Sequence, residues 1–148
     1  MYKRILTTSD GSELAEKAVA HGVALAKAVG AELYCVTVTE VWSALEIARD
    51  VESGKTDPVE EYEAAAAEFA NETLEKAQSI AGEAGMEMKT IHVPDKGAAD
   101  GIMEAATEQG CDLIVMASHG RRGLGRMLLG SQTAEVLAFS KIPVLVPR

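Results

Sequence analysis

Hydrophobic residues along the chain fall into short continuous runs, which alternate with longer stretches where they recur every three or four positions. The short runs are rich in aliphatic and β-branched residues, a composition typical of strands. We predict five strands, at Ile5 to Thr8, Glu32 to Thr39, Met88 to Val93, Asp112 to Ala117 and Ile142 to Val146. Because these runs are largely apolar, we expect both faces of the sheet to be covered.

Four helices are predicted between the strands, where the apolar residues share one helical face. The first extends from Leu14 to Val29, and Gly30 follows it in the way that a glycine commonly ends a helix. The other three are predicted from Tyr62 to Ala84, around Ile102 to Ala106, and from Gln132 to Ser140.

The start of the first helix and the segment after the second strand are less regular. Asp10 followed by Glu13 predicts a capping box, with Ser12 as the alternative N-cap. Residues 42–58 show no firm period and are predicted to be a mobile connection, with at most one helical turn near Leu45. Neither segment disturbs the alternation of strands and helices.

Strands that alternate with helices predict an α/β fold, in which an open parallel sheet carries helices on both faces as in Rossmann-like proteins. The chain has 148 residues, the size of one ordinary domain. No internal repeat or change of composition divides it. We therefore predict a single domain over residues 1–148.

Charge and composition narrow the classes of function. The formal net charge is −9, which disfavours nucleic-acid binding and docking on anionic membranes, because both need a basic surface. No apolar run is long enough for a membrane span or a signal peptide, so a cytoplasmic protein is expected. Cys35 and Cys111 lie in apolar surroundings without a metal-binding pattern, and we predict that both are buried and reduced.

Residues 117–131 form the segment that points to chemistry. They follow the predicted fourth strand, at the edge where open α/β sheets bind ligands. The segment contains four glycines, Gly120, Gly123, Gly125 and Gly130. Glycines let backbone N–H groups approach an anion closely. The acidic chain also keeps a local positive patch here, formed by Arg121, Arg122 and Arg126.

Gly130 and Ser131 stand directly before the predicted fourth helix. A helix N-terminus offers free N–H groups and the positive end of the helix dipole, and both favour phosphate. The Ser131 hydroxyl is either a phosphate ligand or an N-cap, and the local sequence favours neither. No Walker A string and no complete G-x-G-x-x-G motif occurs, so P-loop hydrolysis and hydride transfer have no motif support.

The segment resembles the phosphate motif of the ATP-binding branch of the universal stress protein family, Gly-x2-Gly-x9-Gly-(Ser/Thr). Gly120 and Gly130-Ser131 match the motif, and Ala117 replaces its first glycine. If the backbone at Ala117 needs a positive φ, the replacement costs about 1 kcal/mol. The resemblance covers nearly the whole chain, including Asp10-Gly11-Ser12 after the first strand and the apolar runs of the second, fourth and fifth strands.

The resemblance implies the strand order 3-2-1-4-5, with a ligand crevice between strands one and four. It places Asp10 near the ribose or the metal-bound phosphates, Ser9 beside the base, and the Val38 backbone at the adenine edge. In residues 117–131, the glycine segment, and at the next position the resemblance implies nucleotide contacts by Ala117, His119, Gly120, Arg121, Gly130, Ser131 and Gln132. A helix-capping role for Asp10 and a spacer role for His119 are the alternatives. No residue is assigned a catalytic role.

By the same resemblance the protein is expected to bind ATP, with Mg²⁺ or Mn²⁺, and to regulate the stress response, with slow hydrolysis at most. The resemblance also implies a homodimer through the C-terminal strand, an apolar sheet edge that needs covering; the alternative is that the helices of the same chain cover this strand. The alternative is a dimeric adaptor that uses no nucleotide, which Ala117 favours and Gly120 with Gly130-Ser131 disfavours. An adenylyl-transfer enzyme is disfavoured, because the chain shows no His-rich loop and no extra domain.

Overall fold

The computed structural model describes residues 1–120 and 129–148. Within these ranges, one sheet is formed by the parallel strands β1 (Arg4–Thr8), β2 (Glu32–Val38), β3 (Met88–Val93), β4 (Leu113–Val115) and β5 (Val144–Leu145). The strand order is β3-β2-β1-β4-β5, which confirms the predicted open parallel sheet. The last two strands are shorter than predicted, because only two residue pairs join them.

The helices of the described ranges are α1 (Glu13–Val29), α2 (Ala44–Glu52), α3 (Pro58–Glu83), α4 (Ala98–Glu108) and α5 (Ser131–Phe139). The first of them ends at Gly30, whose φ of 71° is a left-handed conformation that favours glycine. None of the helices in these ranges is long and apolar enough to cross a membrane.

The sheet carries a buried core on each face. One face, with Ile5 of β1 and Cys35 of β2, packs against α1 and α3. The opposite face, with Leu6 and Val36, packs against α4 and α5. Because successive strand residues point to opposite faces, the central strands supply both cores and are apolar almost throughout. The predicted burial on both faces is therefore confirmed.

The start of α1 differs from the prediction. The N-cap is Ser12, whose hydroxyl accepts a hydrogen bond from Ala15 N–H at 3.1 Å. The capping box predicted for Asp10 and Glu13 is therefore wrong, and the alternative cap is confirmed. Asp10 lies two residues before the cap, so its carboxylate reaches Ser12 N–H, at 3.0 Å, instead of the first turn of the helix.

The prediction of an irregular connection over residues 42–58 is wrong in its centre, where α2 forms. Ser43 caps this helix in a capping box with Glu46, with hydrogen bonds of 3.2 Å and 2.8 Å. Hydrogen bonds from Ser43 hold the pKa of the Glu46 carboxyl below its ordinary value. None of the residues of α2 is buried. The helix thus depends on its cap rather than on a buried face, and hydrophobic spacing alone does not reveal it.

Both cysteines are free and buried, as predicted. Burial raises the pKa of the Cys35 thiol to about 11, and a hydrogen bond with Thr7 offsets part of this effect. Burial likewise raises the pKa of the Cys111 thiol to about 11. Both groups therefore stay protonated at neutral pH and behave as small apolar side chains.

Candidate functional site

The candidate site lies at the carboxyl edge of the sheet, beyond the ends of β1 and β4. The strand order reverses at this point, because the chain passes from β1 to β2 on one side while β4 lies on the other. The pairing of β1 with β4 ends at Thr7 and Val115. Ser9 and Asp10 follow one strand and residues 117–120 follow the other, so the two segments face each other.

Asp10 and Gly120 are in direct contact across this point. A Cβ atom added at Gly120 would overlap Oδ2 of Asp10. The other carboxylate oxygen, Oδ1, accepts a hydrogen bond from Ser12 N–H at 3.0 Å. Glycine at position 120 therefore lets the Asp10 carboxylate lie against the chain that follows β4. From the sequence, the only reason found for this glycine was that it lets an anion approach the backbone.

Gly130 brings the start of α5 against the residues that follow β4. Its N–H donates to the Ser118 carbonyl at 2.7 Å. A Cβ atom added at Gly130 would lie 2.9 Å from Cβ and 3.0 Å from Cα of His119, which is closer than ordinary packing allows. A larger residue would push the helix away from this segment, so Gly130 holds the helix N-terminus beside Ser118 and His119.

The N-terminus of α5 presents N–H donors that no carbonyl of the helix accepts. Its N-cap is Gly130 and Ser131 is its first residue, so the alternative in which Ser131 is the N-cap is wrong. The first hydrogen bond within the helix joins Ala134 N–H to the Gly130 carbonyl at 3.0 Å. The N–H groups of Ser131, Gln132 and Thr133 therefore have no acceptor within the helix. Together with the exposed Ser131 hydroxyl and the helix dipole, they suit an anion.

Ala117, which stands where the motif has its first glycine, fits its backbone without strain. It is buried, and its carbonyl accepts a hydrogen bond from the Thr133 hydroxyl at 2.8 Å. Asp95 is the only residue other than glycine with a positive φ in the described ranges. The conditional strain at Ala117 is therefore absent. The contact with Thr133 was not predicted, because a buried threonine in a helix has no local sequence signature.

The backbone of Val38 faces the same crevice. In a parallel sheet the N–H and C=O of one residue point to the same neighbouring strand, and successive residues alternate. The Val36 carbonyl accepts Ser9 N–H at 3.1 Å, whereas Thr39 N–H donates to the Val93 carbonyl at 3.0 Å on the other side. By this alternation the Val38 N–H and C=O point toward the side of β1. They lie beyond the last backbone hydrogen bond between β2 and the β1 side in the described residues. One donor beside one acceptor complements the edge of an adenine ring.

Ser9 is held firmly by the turn that carries Asp10. Its side chain is buried, and its hydroxyl accepts a hydrogen bond from Gly11 N–H at 3.2 Å. Its carbonyl accepts the Thr37 hydroxyl at 3.0 Å. These bonds fix the direction in which the chain leaves β1, and hence the position of the Asp10 carboxylate.

Of the predicted contact residues His119 and Arg121, the structure describes only His119. The His119 ring is half-buried, with Nδ1 3.1 Å from the Ser118 hydroxyl. This bond gives the ring an orienting partner next to the α5 N-terminus, and it is compatible with both a spacer and a phosphate contact. Arg121 lies outside the described residues, as do Arg122 and Arg126.

The Gln132 side chain has a partner that the sequence does not indicate. Its Oε1 accepts a hydrogen bond from Ala99 N–H in the first turn of α4, at 3.0 Å. The N-cap of α4 is Gly97, which has no side chain to cap the helix. Gln132 therefore supplies the missing acceptor and joins the first turns of α4 and α5, and its own N–H remains the group that faces the anion site.

Comparison with known proteins adds family evidence to this geometry. The model of the universal stress protein family matches residues 1–148. Universal stress protein MJ0577 of Methanocaldococcus jannaschii is 36% identical over 156 aligned residues, which cover 99% of this chain and 94% of that protein. A solved structure of MJ0577 has a TM-score of 0.79 at 33% identity, and the alignment covers 99% of this chain and 95% of that one.

Two more distant solved structures share the fold. One is a universal stress protein in complex with cAMP, with a TM-score of 0.67 at 24% identity over 99% of this chain and 97% of that one. The other is the universal stress protein from Archaeoglobus fulgidus in complex with dAMP, with a TM-score of 0.70 at 21% identity over 99% and 98%. The strand order, the glycine segment and the match over the whole chain agree, and the chain belongs to the universal stress protein family.

Proposed function

We propose that the protein binds an adenine nucleotide, ATP above all, and that nucleotide occupancy regulates its action in the stress response. The observation that carries the proposal is the position of the α5 N-terminus. Gly130 holds this helix end against Ser118 and His119, at the point where the strand order reverses. Three N–H groups without helical acceptors, the helix dipole and the Ser131 hydroxyl then converge on the place where a phosphate would bind.

The base and the ribose have supporting groups on the other side of the crevice. The N–H and C=O of Val38 offer a donor and an acceptor to the adenine edge. Ser9 and Asp10 follow β1, which lies between β2, the strand of Val38, and β4, the strand that precedes residues 117–120. Two universal stress proteins of the same fold have been solved in complex with cAMP and with dAMP, which supports an adenine nucleotide as the ligand. Arg121 and His119 are proposed as further phosphate contacts.

A divalent ion fits the carboxylate of Asp10. Mg²⁺ and Mn²⁺ bind carboxylate and phosphate oxygens, and Asp10 lies directly against Gly120, a residue of the motif proposed to bind the phosphates. The ion would neutralise phosphate charge that otherwise faces the negative carboxylate. We assign no general base or nucleophile, and hydrolysis is expected to be slow at most.

A cytoplasmic homodimer is part of the proposal. The Leu145 carbonyl accepts Met116 N–H at 3.1 Å, so by the alternation of a parallel strand the backbone of Val144 and Val146 points to the outer edge of β5. No further strand pairs with that edge in the described ranges. A second copy of the chain would cover it.

The proposed phosphate site is tested by Ser131→Asp. The added carboxylate would stand among the phosphates, and we expect the affinity for ATP with Mg²⁺ to fall by at least about tenfold in calorimetric titration. An acidic residue in the first turn interacts favourably with the helix dipole, so the free energy of unfolding should stay equal or rise by about 0.3–1 kcal/mol. Loss of binding can then not be attributed to loss of the fold.

Ser79→Asp is the matched control, because Ser79 is exposed on α3 and lies away from the site. It should bind ATP as the unmodified protein does. If Ser131→Asp binds ATP unchanged, the phosphate site is wrong. If the nucleotide-stripped, folded protein binds no ATP at all, the nucleotide-independent dimeric adaptor becomes the better account.

A further inference from the structure

The first turns of α4 approach the end of β2 unusually closely. Gly101 is buried in this helix, and a Cβ atom added there would lie 2.7 Å from Cγ2 and 2.8 Å from Cγ1 of Val38. Contacts under 3.0 Å force something to move. Glycine inside a helix is destabilising by roughly 0.5–1 kcal/mol relative to alanine, and the close approach to Val38 accounts for its presence at this position.

The first turn of α4 is also joined to α5, the helix whose N-terminus is proposed to bind phosphate. Ala99, two residues before Gly101, donates its N–H to Oε1 of Gln132 at 3.0 Å. Gln132 is the second residue of α5, and its own N–H is one of the three donors proposed for phosphate. Residues 99–101 therefore contact both halves of the proposed site, the helix N-terminus on one side and the adenine-facing strand on the other.

We propose that Gly101 is a positioning residue for adenine, and that the first turns of α4 set the distance between the base and the phosphate subsites. This inference rests on the proposed nucleotide function. The Val38 side chain packs into the core that α4 shares, while its backbone faces the crevice. A methyl group at position 101 would push Val38, and with it the N–H and C=O that meet the base, away from their present place relative to α5.

Substitutions at positions 38 and 101 test the inference by calorimetric titration with ATP, GTP and inorganic tripolyphosphate, each with Mg²⁺. Gly101→Ala should lose about tenfold in affinity for ATP and most of the preference for ATP over GTP. Its affinity for tripolyphosphate should change less than about twofold, because the α5 N-terminus is untouched. Val38→Ala is the reference for a double variant, because it removes the two Val38 methyl groups that a Cβ at position 101 would meet.

The double variant Gly101→Ala with Val38→Ala gives the decisive readout. It removes the two methyl groups closest to the new Cβ and leaves only the Cβ of position 38, at 3.3 Å. The preference for ATP should therefore return to that of Val38→Ala. If Gly101→Ala does not fold, Val38→Ile approaches the same contact from the strand and should lose the preference in the same way.

The outcomes separate the inference from the function on which it rests. Failure of the unmodified protein to bind ATP would overturn both. Binding by the unmodified protein, with an unchanged ATP to GTP ratio in folded Gly101→Ala or in Val38→Ile, would overturn the positioning role and leave the nucleotide function standing. Loss of tripolyphosphate binding in Gly101→Ala would also contradict the inference, because the change would not be confined to the base.

Discussion

At the scale of single residues, the motif glycines have a second purpose besides leaving room for an anion. Gly120 makes room for the Asp10 carboxylate, and Gly130 allows α5 to begin against His119. Neither has a positive φ, so the absence of a side chain matters here rather than backbone freedom. The motif glycines therefore allow close packing around the site as well as the approach of an anion.

Gly120→Ala should weaken the binding of ATP with Mg²⁺ by about tenfold, because the added methyl group displaces the Asp10 carboxylate. The fold should lose less than about 1 kcal/mol of stability, since a side-chain end can rotate away. Titration of Gly120→Ala in an Asp10→Ala background provides the control. There the glycine substitution should have little further effect, and a full additional tenfold loss would refute the role assigned to the contact.

His92 should make stability depend on pH near neutrality. Its Nε2 lies 2.8 Å from the Thr39 hydroxyl. Burial of the ring, the largest cause, holds the pKa of His92 below its ordinary value of 6.5, and the Asp95 carboxylate partly offsets this. The unfolded chain then binds more protons than the native one, so the contribution to stability is present above pH 6.5 and is lost as pH falls through the folded-state pKa.

Urea denaturation at about pH 7.5 and pH 5.5 tests this expectation. The midpoint should fall on acidification, and it should fall less in His92→Gln, which keeps a hydrogen-bonding side chain beside Thr39. An equal fall in the two proteins would assign the acid sensitivity to other groups.

At the scale of elements, hydrophobic spacing predicted the structures that bury an apolar face. The central strands and α1 were predicted close to their observed bounds, because burial dictates their residues. The helix α2 was missed, because it buries no residue and depends on the capping box of Ser43 and Glu46. The fourth and fifth strands were predicted too long, since apolar residues such as Ala117 stay buried after strand pairing ends.

The packing of α1 on β1 predicts opposite effects for two helix glycines. A Cβ added at Gly22 would overlap Cγ2 of Thr7 and lie 3.6 Å from Cβ of Val115, whereas one added at Gly82 of α3 has nothing within 4 Å. Gly22→Ala should therefore destabilise the protein by about 1–3 kcal/mol. Gly82→Ala should stabilise it by about 0.5–1 kcal/mol through helix propensity. Stabilisation by both in urea denaturation would show that α1 can move away from β1 without loss.

At the scale of the whole molecule, the candidate site is assembled from contacts between residues distant in sequence. The fold class and the position of the glycine segment could be predicted, because alternation of elements fixes where strand ends meet. The bond between Gln132 and Ala99 and the contact of Gly101 with Val38 could not. Both depend on the distances between the helices and from the helices to the sheet. No local sequence pattern predicts these distances.

The proposed dimer is testable at the same scale by light scattering after gel filtration. Val146→Pro removes a backbone N–H that points to the outer edge of β5, and we expect the mass to fall from two chains to one. Val146→Ala controls for the shortened side chain and should remain a dimer. A single-chain mass for the unmodified protein, or a dimeric Val146→Pro, would contradict pairing through this strand.

The central claim is that ATP lies between the α5 N-terminus and the Val38 backbone, and a crystal structure with a non-hydrolysable ATP analogue and Mg²⁺ tests it most directly. We predict phosphate oxygens within hydrogen-bonding distance of the Ser131 to Thr133 N–H groups, at about 2.7–3.2 Å, and the adenine edge on the Val38 N–H and C=O. A nucleotide bound elsewhere on the protein, or phosphates that make no contact with this helix end, would contradict the account.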